Sequence, residues 1–162
     1  MPDQVDRIQA QWARERPDLD VGPQGVIGRL HRLANHLTQQ LCLVYERFGL
    51  SEGEFDVLAT LRRAGEPYEL APGGLAEHTM VTTGAMTKRL DRLERSGLVT
   101  RRRSADDGRG RVVGLTPAGL EVIDRAFTEH MRNERRLLDE LSPEQAEQLE
   151  ALLTAWLVRY EP

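Results

Sequence analysis

Two short segments near the middle of the chain alternate polar and apolar residues, and a polar, glycine-containing segment separates them. The alternating segments are "LVTRRR" at 98–103 and "RVVGL" at 111–115, and "SADDGRG" lies between them at 104–110. A period of two residues indicates β-strands, and a short glycine-containing connection is typical of a hairpin tip. The sequence therefore predicts a two-stranded hairpin with several arginines on it.

The segment before this hairpin predicts an amphipathic helix from Thr82 to Ser96. Thr82 is suited to the N-cap, and Gly97 is suited to the position that ends the helix. Apolar residues recur at helical spacing and define the buried side. These residues are Met86, Leu90 and Leu93.

A second, shorter helix is predicted just upstream, at 72–78. It follows "YEL" at 68–70, a candidate for a short strand, and the apolar pair Met80 and Val81 is predicted to form a tight turn after it. Two helices joined by a short turn and followed by a basic hairpin predict a winged helix-turn-helix.

The remaining segments are predicted to be helical, which makes the fold class mainly α (α+β). A short N-terminal helix ends before Pro17, and a long helix runs from about Gln24 to Phe48. "SEGE" at 51–54 is a capping box that starts a helix ending at Gly65. Threonine or serine before proline starts two C-terminal helices, at Pro117 and Pro143, the first of which extends to about Leu141.

The apolar stripes of the long helices predict a homodimer. A helix from Pro117 to Leu141 would be about 37 Å long at 1.5 Å per residue, more than a small winged domain can cover. The long N-terminal helix and a second copy of the chain are the available partners. The predicted domains are 1–50 (N-terminal helix and dimerisation helix), 51–116 (winged helix-turn-helix) and 117–162 (C-terminal dimerisation helices).

Charge is distributed unevenly along the chain. The net charge is −4, but residues 84–111 contain nine basic and four acidic side chains, a balance of +5 that leaves −9 for the rest. Such an asymmetry is typical of a protein with one surface for a polyanion. We therefore predict double-stranded DNA as a partner.

The predicted DNA contacts lie on the helix from Thr82 and on the hairpin. Hydroxyls and cations make most contacts with phosphates and bases, and an arginine on a wing suits the narrow minor groove, which we assign to Arg109. The full predicted set is Thr82, Thr83, Thr87, Lys88, Arg92, Arg95, Arg109 and Arg111.

Several classes of protein are excluded or disfavoured. With Cys42 as the only cysteine there is no intrachain disulfide and no cysteine-based zinc site, and the four histidines lack metal-ligand spacing. The sequence contains no nucleophile elbow, no phosphate-binding glycine loop and no evident pair of carboxylates. Neither an enzyme nor a bound cofactor is therefore expected. No secretory or membrane-spanning segment is evident, so a cytoplasmic protein is expected.

The order of these elements resembles the MarR family of bacterial transcriptional regulators. The most specific segments are "GAMTKRLDRLERSGLVTR" and "ADDGRGRVVGLTPAG", and the resemblance covers nearly the whole chain. The resemblance implies an obligate homodimer that acts as a repressor and binds a pseudo-palindromic operator. It also implies that a small ligand releases the dimer from DNA.

The N-terminal helix, with "EFDVLATL" and "TKRLDRL", is similar to the urate-responsive branch of that family. This resemblance implies a ligand site at Trp12, Asp56, Arg89 and Arg101, with Asp56 as the switch residue. Relatives with a similar helix respond to other organic anions, so the implied effector is urate-like or a tricarboxylate.

Other interpretations of these residues remain open. Trp12 on an amphipathic helix is as well suited to packing as to binding a ligand. Asp56 and Arg89 could form a fixed salt bridge instead of a switch. Cys42 could serve a redox-responsive regulator, although an apolar helix favours a buried, inert thiol. A helical dimeric module whose basic wing binds an acidic protein is the alternative of a different class.

Overall fold

In the computed structural model the described residues are 1–79, 83–103 and 111–160. The helices are α1 (Gln4–Glu15), α2 (Gln24–Glu46), α3 (Glu52–Arg63), α4 (Pro72–His78), α5 (Thr83–Arg95), α6 (Pro117–Leu138) and α7 (Pro143–Leu157). The strands are β1 (Glu69–Leu70), β2 (Val99–Arg103) and β3 (Arg111–Leu115). The chain divides into two compact units, residues 1–43 and 44–162. The mainly helical fold with a small sheet is the one that the sequence predicts.

The first unit contains α1 and most of α2, and α1 contacts the first part of α2. Asp3 and Asp6 form a capping box at the start of α1, so that both carboxylates stand beside the helix terminus. Each of them also pairs with Arg29 of α2, at 2.7 Å and 2.6 Å respectively. Val5, which is buried, lies against Gly28 of α2. Arg29 and the contact of Val5 with Gly28 therefore help to hold the N-terminal helix on α2.

The second unit places a three-stranded antiparallel sheet beside α3 to α6. The strand order is β1-β3-β2, so β3 is central and pairs with both neighbours. Its register sets Arg101 opposite Val113 and Arg103 opposite Arg111. The largest fully buried side chains described in this unit are Val57, Leu58, Leu61, Leu75, Met86, Leu93, Val99, Val113 and Ile123.

Two helices end earlier than the apolar patterns predict. α2 ends at Glu46 because Gly49 takes a φ of 70° and the amide of Leu50 closes back onto the carbonyl of Tyr45, 3.1 Å away. α6 ends at Leu138, three residues short of the prediction. Ser142 precedes a proline and is therefore extended, so the backbone must leave the helix before it.

The "LTPAG" segment joins β3 to α6 through a tightly bonded corner. Thr116 caps α6 by accepting from the amide of Gly119 at 2.9 Å, and its own hydroxyl donates to the carbonyl of Gly97 at 2.7 Å. Its amide donates to the carbonyl of Leu98 at 3.1 Å. A Cβ on Gly119 would lie 1.9 Å from that same carbonyl oxygen. Only glycine therefore fits where α6 crosses the start of β2.

The last helix, α7, has no buried residue in a single chain. Its exposed apolar side chains include Leu152, Leu153, Trp156 and Leu157. None of the helices in the described part of the chain has the length and apolar character needed to cross a membrane.

Candidate nucleic-acid interface

The outer surface of α5 is polar and carries three exposed basic side chains. Met86, Leu90 and Leu93 are buried, in agreement with the predicted inner side of this helix. The exposed residues on the remaining surface include Thr87, Lys88, Arg92 and Arg95. Because α4 precedes α5 and packs against it, α5 holds the position of the second helix of a helix-turn-helix. Among the other predicted contacts Arg111 is exposed on β3. Thr82, Arg109 and the side chain of Thr83 lie outside the described residues.

Arg92 is attached to the start of α3 by a buried carboxylate. Its Nε lies 2.9 Å from Oε1 of Glu54, whose side chain is only 4% exposed. The other oxygen of Glu54 accepts from the amide and the hydroxyl of Ser51, both at 2.8 Å. The capping box was evident in the sequence, but the ion pair with α5 was not, because it joins residues 38 positions apart. One carboxylate thus caps α3 and holds an exposed arginine of α5.

Arg101 joins β2 to α5. Its Nη2 bonds to Oδ1 of Asp91, and its Nε lies 3.1 Å from Oε2 of Glu94 without hydrogen-bonding alignment. The side chain is 18% exposed, far less than the arginines that follow it. The sequence assigned Arg101 to a ligand site, and in the structure it is engaged by two carboxylates of the helix predicted to contact DNA.

Arg102 points to the opposite face of β2 and is held there by Glu69 of β1. Its Nε and Nη2 lie 3.2 Å and 2.5 Å from the two oxygens of that carboxylate, a two-bond arrangement suited to a guanidinium. The side chain of Glu69 reaches Arg102 by crossing over Gly114 of the central strand. A Cβ at Gly114 would lie 2.8 Å from Cγ of Glu69, so this crossing depends on glycine.

Arg89 lies on the inner edge of α5, with its guanidinium over Gly53 at the start of α3. A Cβ on Gly53 would lie 2.2 Å from its Cζ. Its Nη1 is buried and has no hydrogen-bond partner among the described residues. A buried guanidinium nitrogen without an acceptor is costly, and a carboxylate or an anionic ligand would relieve that cost.

Asp56, the predicted switch residue, is half-buried on α3 close to this arginine. Burial raises its pKa above the ordinary value, and the negative charge of Glu52 adds to the effect. The positive charges of Arg89 and Arg63 act in the opposite direction on the pKa of Asp56. Asp56 and Arg89 therefore interact electrostatically, and the aspartate stands where burial disfavours its charge.

Trp12 belongs to the other unit, on α1, and is 49% exposed. Cys42 is half-buried on α2. Within the described ranges, no three histidine, cysteine or acidic side chains come together in a way that could hold a metal ion.

Comparison with known proteins identifies the family. A model of the MarR family matches residues 48–110, which include the helix-turn-helix elements and β2. The HTH-type transcriptional regulator PecS of Dickeya dadantii is 42% identical over 150 residues, which cover 93% of this chain and 90% of PecS. The HTH-type transcriptional repressor YetL of Bacillus subtilis is 31% identical over 143 residues, covering 88% of this chain and 85% of YetL.

A solved structure agrees with these sequence relatives. A mutant of E. coli MarR complexed with operator DNA matches with a TM-score of 0.72 and 27% identity, covering 86% of this chain and 99% of that one. The likeness therefore extends to both the fold and the sequence. The chain belongs to the MarR family of transcriptional regulators.

Proposed function

We propose that the protein is a DNA-binding repressor that binds a pseudo-palindromic operator as a homodimer and is released by a small organic anion. The observation that carries the proposal is the exposed basic surface of α5, where Lys88, Arg92 and Arg95 stand in a chain that is otherwise acidic. A cationic helix presented in this way suits the major groove and its flanking phosphates. The operator complex of the E. coli relative supports the same role.

The unpartnered apolar surface of α7 supports the homodimer. Leu152 is 69% exposed and Leu157 53% exposed, and no residue of α7 is buried by the rest of its own chain. An apolar surface of this kind is expected to be covered by a partner. A second copy of α7 would cover it under two-fold symmetry, and two copies of α5 would then meet two operator half-sites.

DNA binding is expected to weaken steeply with salt. A dimer that neutralises several phosphates should lose about 10³-fold or more in affinity between about 50 and 200 mM salt. Fluorescence anisotropy on palindromes selected from a random duplex library measures this, and sedimentation of the complex should give two chains per duplex. Tight binding to an acidic protein, with no affinity for any duplex, would instead favour the helical interaction module.

The proposed effector site contains Trp12, Asp56, Arg89 and Arg101. The buried, unpartnered Nη1 of Arg89 and the raised pKa of Asp56 support an anion site at the junction of α3 and α5. An anion there would compete with Asp56 for Arg89, and one that reached Arg101 would compete with Asp91 and Glu94. Since Arg101 pairs with two carboxylates of α5 and Arg89 itself belongs to α5, a change in their partners would act on the surface that contacts DNA.

Replacing Trp12 with alanine is expected to abolish the response to the effector and to leave DNA affinity unchanged. Coupling of this type typically changes affinity by about 5- to 150-fold, and without the indole the anion loses its stacking partner. A thermal-shift screen of urate, xanthine, salicylate, citrate and aconitate identifies the effector, and anisotropy then measures release from DNA. Trp12→Phe is the matched control, because it retains an aromatic ring. A full response in Trp12→Ala would leave Trp12 with a packing role only.

A further inference from the structure

The three consecutive arginines at the end of β2 have different surroundings. Arg101 is engaged by Asp91 and Glu94 on one face of the strand, and Arg102 by Glu69 on the other. Arg103 is exposed and makes no ion pair with any described residue. The first two arginines therefore fasten β2 to α5 and β1, whereas Arg103 has no ion-pair partner among the described residues.

Arg103 stands directly opposite another arginine. In the β2–β3 ladder it pairs with Arg111, which is also exposed and without a described ion-pair partner. Residues opposite each other in an antiparallel pair project from the same face, with Cβ atoms about 4.5–5.5 Å apart, and like charges in this position destabilise the pair. An anion between the two guanidinium groups would replace this repulsion with two attractive interactions.

The space beside this pair is large enough for a phosphate group. Arg103 and Arg111 line a groove of about 350 Å³ together with Arg101, Arg102 and Glu94. Glu94 lies beside Arg101, and Arg102 pairs with Glu69, so these charges are offset within the protein. Arg103 and Arg111 supply the positive charge that is not offset by a described residue.

From this arrangement we infer that Arg103 and Arg111 form a paired-arginine site that binds one backbone phosphate of duplex DNA. The inference rests on the proposed function and adds Arg103, which the sequence did not assign to DNA. A guanidinium matches a phosphate through two parallel donors, and two of them from opposite strands grip it from two sides. Arg101 and Arg102 are positioning residues, since they fix β2 and thereby the place where this phosphate binds.

A double-mutant cycle on a duplex of arbitrary sequence tests the site. Because both arginines bind the same phosphate, Arg103→Ala and Arg111→Ala should each weaken binding, and their losses should not add. The double variant should lower the slope of log affinity against log salt by about 0.9 for each protomer, the value for one phosphate, and so by about 1.8 for the dimer on one duplex. As a control, replacing Arg125 and Arg132 of α6 with alanine also removes two positive charges from each protomer, but it should leave the slope unchanged. Without DNA, Arg103→Ala should unfold at the parent's temperature or above it, because a repulsion is removed.

Each other outcome overturns the inference. An unchanged slope in the double variant would show that the pair does not touch DNA, and additive losses with a slope change of about 3.6 for the dimer would show two separate phosphates in each protomer. Binding of inorganic phosphate by the pair, seen by phosphorus NMR without any change in the DNA slope, would make it a small-anion site. A parent protein that binds no duplex would overturn the proposed function as well, whereas in the first two cases the parent still binds DNA.

Discussion

Replacing Gly119 with alanine is expected to destabilise the protein by about 3 kcal/mol or more, because the new methyl group has no space. Its Cβ would lie 1.9 Å from the carbonyl oxygen of Leu98 and 2.9 Å from the carbonyl carbon. Both are backbone atoms, so no side chain can rotate out of the way. Either α6 moves away from the start of β2, or Thr116 loses its bonds to Gly97 and Leu98.

Urea unfolding at one fixed protein concentration measures the effect of Gly119→Ala. Gly74 provides the matched control, because a Cβ there meets nothing within 4 Å and the residue lies in a helix. Gly74→Ala should therefore be neutral or should stabilise by up to about 1 kcal/mol. Equal unfolding midpoints for Gly119→Ala and the parent would show that this corner relaxes freely.

Local patterns predicted most of the helices and both strands of the hairpin. The capping box at Ser51, the proline after Thr116 and the glycine at 97 all act within a few residues, so the sequence displays them directly. The ends of α2 and α6 were less accurate, because apolar spacing continues past the point where Gly49 and Ser142 change the backbone.

Contacts between distant segments were the part that the sequence did not reveal. The bonds of Glu54 to Arg92 and of Glu69 to Arg102 depend on how α3 meets α5 and on the strand order of the sheet. The same applies to Arg101: alternation predicts that it faces away from Arg102, but not that two carboxylates of α5 engage it. The residues assigned to DNA and effector binding stay predictions, and Thr82 and Arg109 lie outside the described residues.

Replacing Glu54 with alanine is expected to destabilise the protein by about 2–4 kcal/mol. Loss of the charged hydrogen bonds from Ser51 accounts for about 1.5–3 kcal/mol, and loss of the solvent-screened ion pair with Arg92 for about 1 kcal/mol or less. The carboxylate of Glu54 is buried, whereas Ser51 and Arg92 are exposed, so water can satisfy their donors and the loss comes from the charged interactions themselves.

Two further variants separate the cap from the ion pair. Glu54→Gln retains an oxygen that can accept from the amide of Ser51 but removes the charge that faces Arg92, so it should lower the free energy of unfolding by less than Glu54→Ala does.

Arg92→Ala leaves the Glu54 carboxylate buried without its counter-charge. Because Arg92 itself is 62% exposed, solvent screens the pair, and a double-mutant cycle of Glu54 and Arg92 should give a coupling of only about 1 kcal/mol. Urea unfolding supplies all four free energies of the cycle. A coupling near zero, with the full loss retained in Glu54→Ala, would mean that Glu54 stabilises α3 alone and that Arg92 is held on α5 by something else.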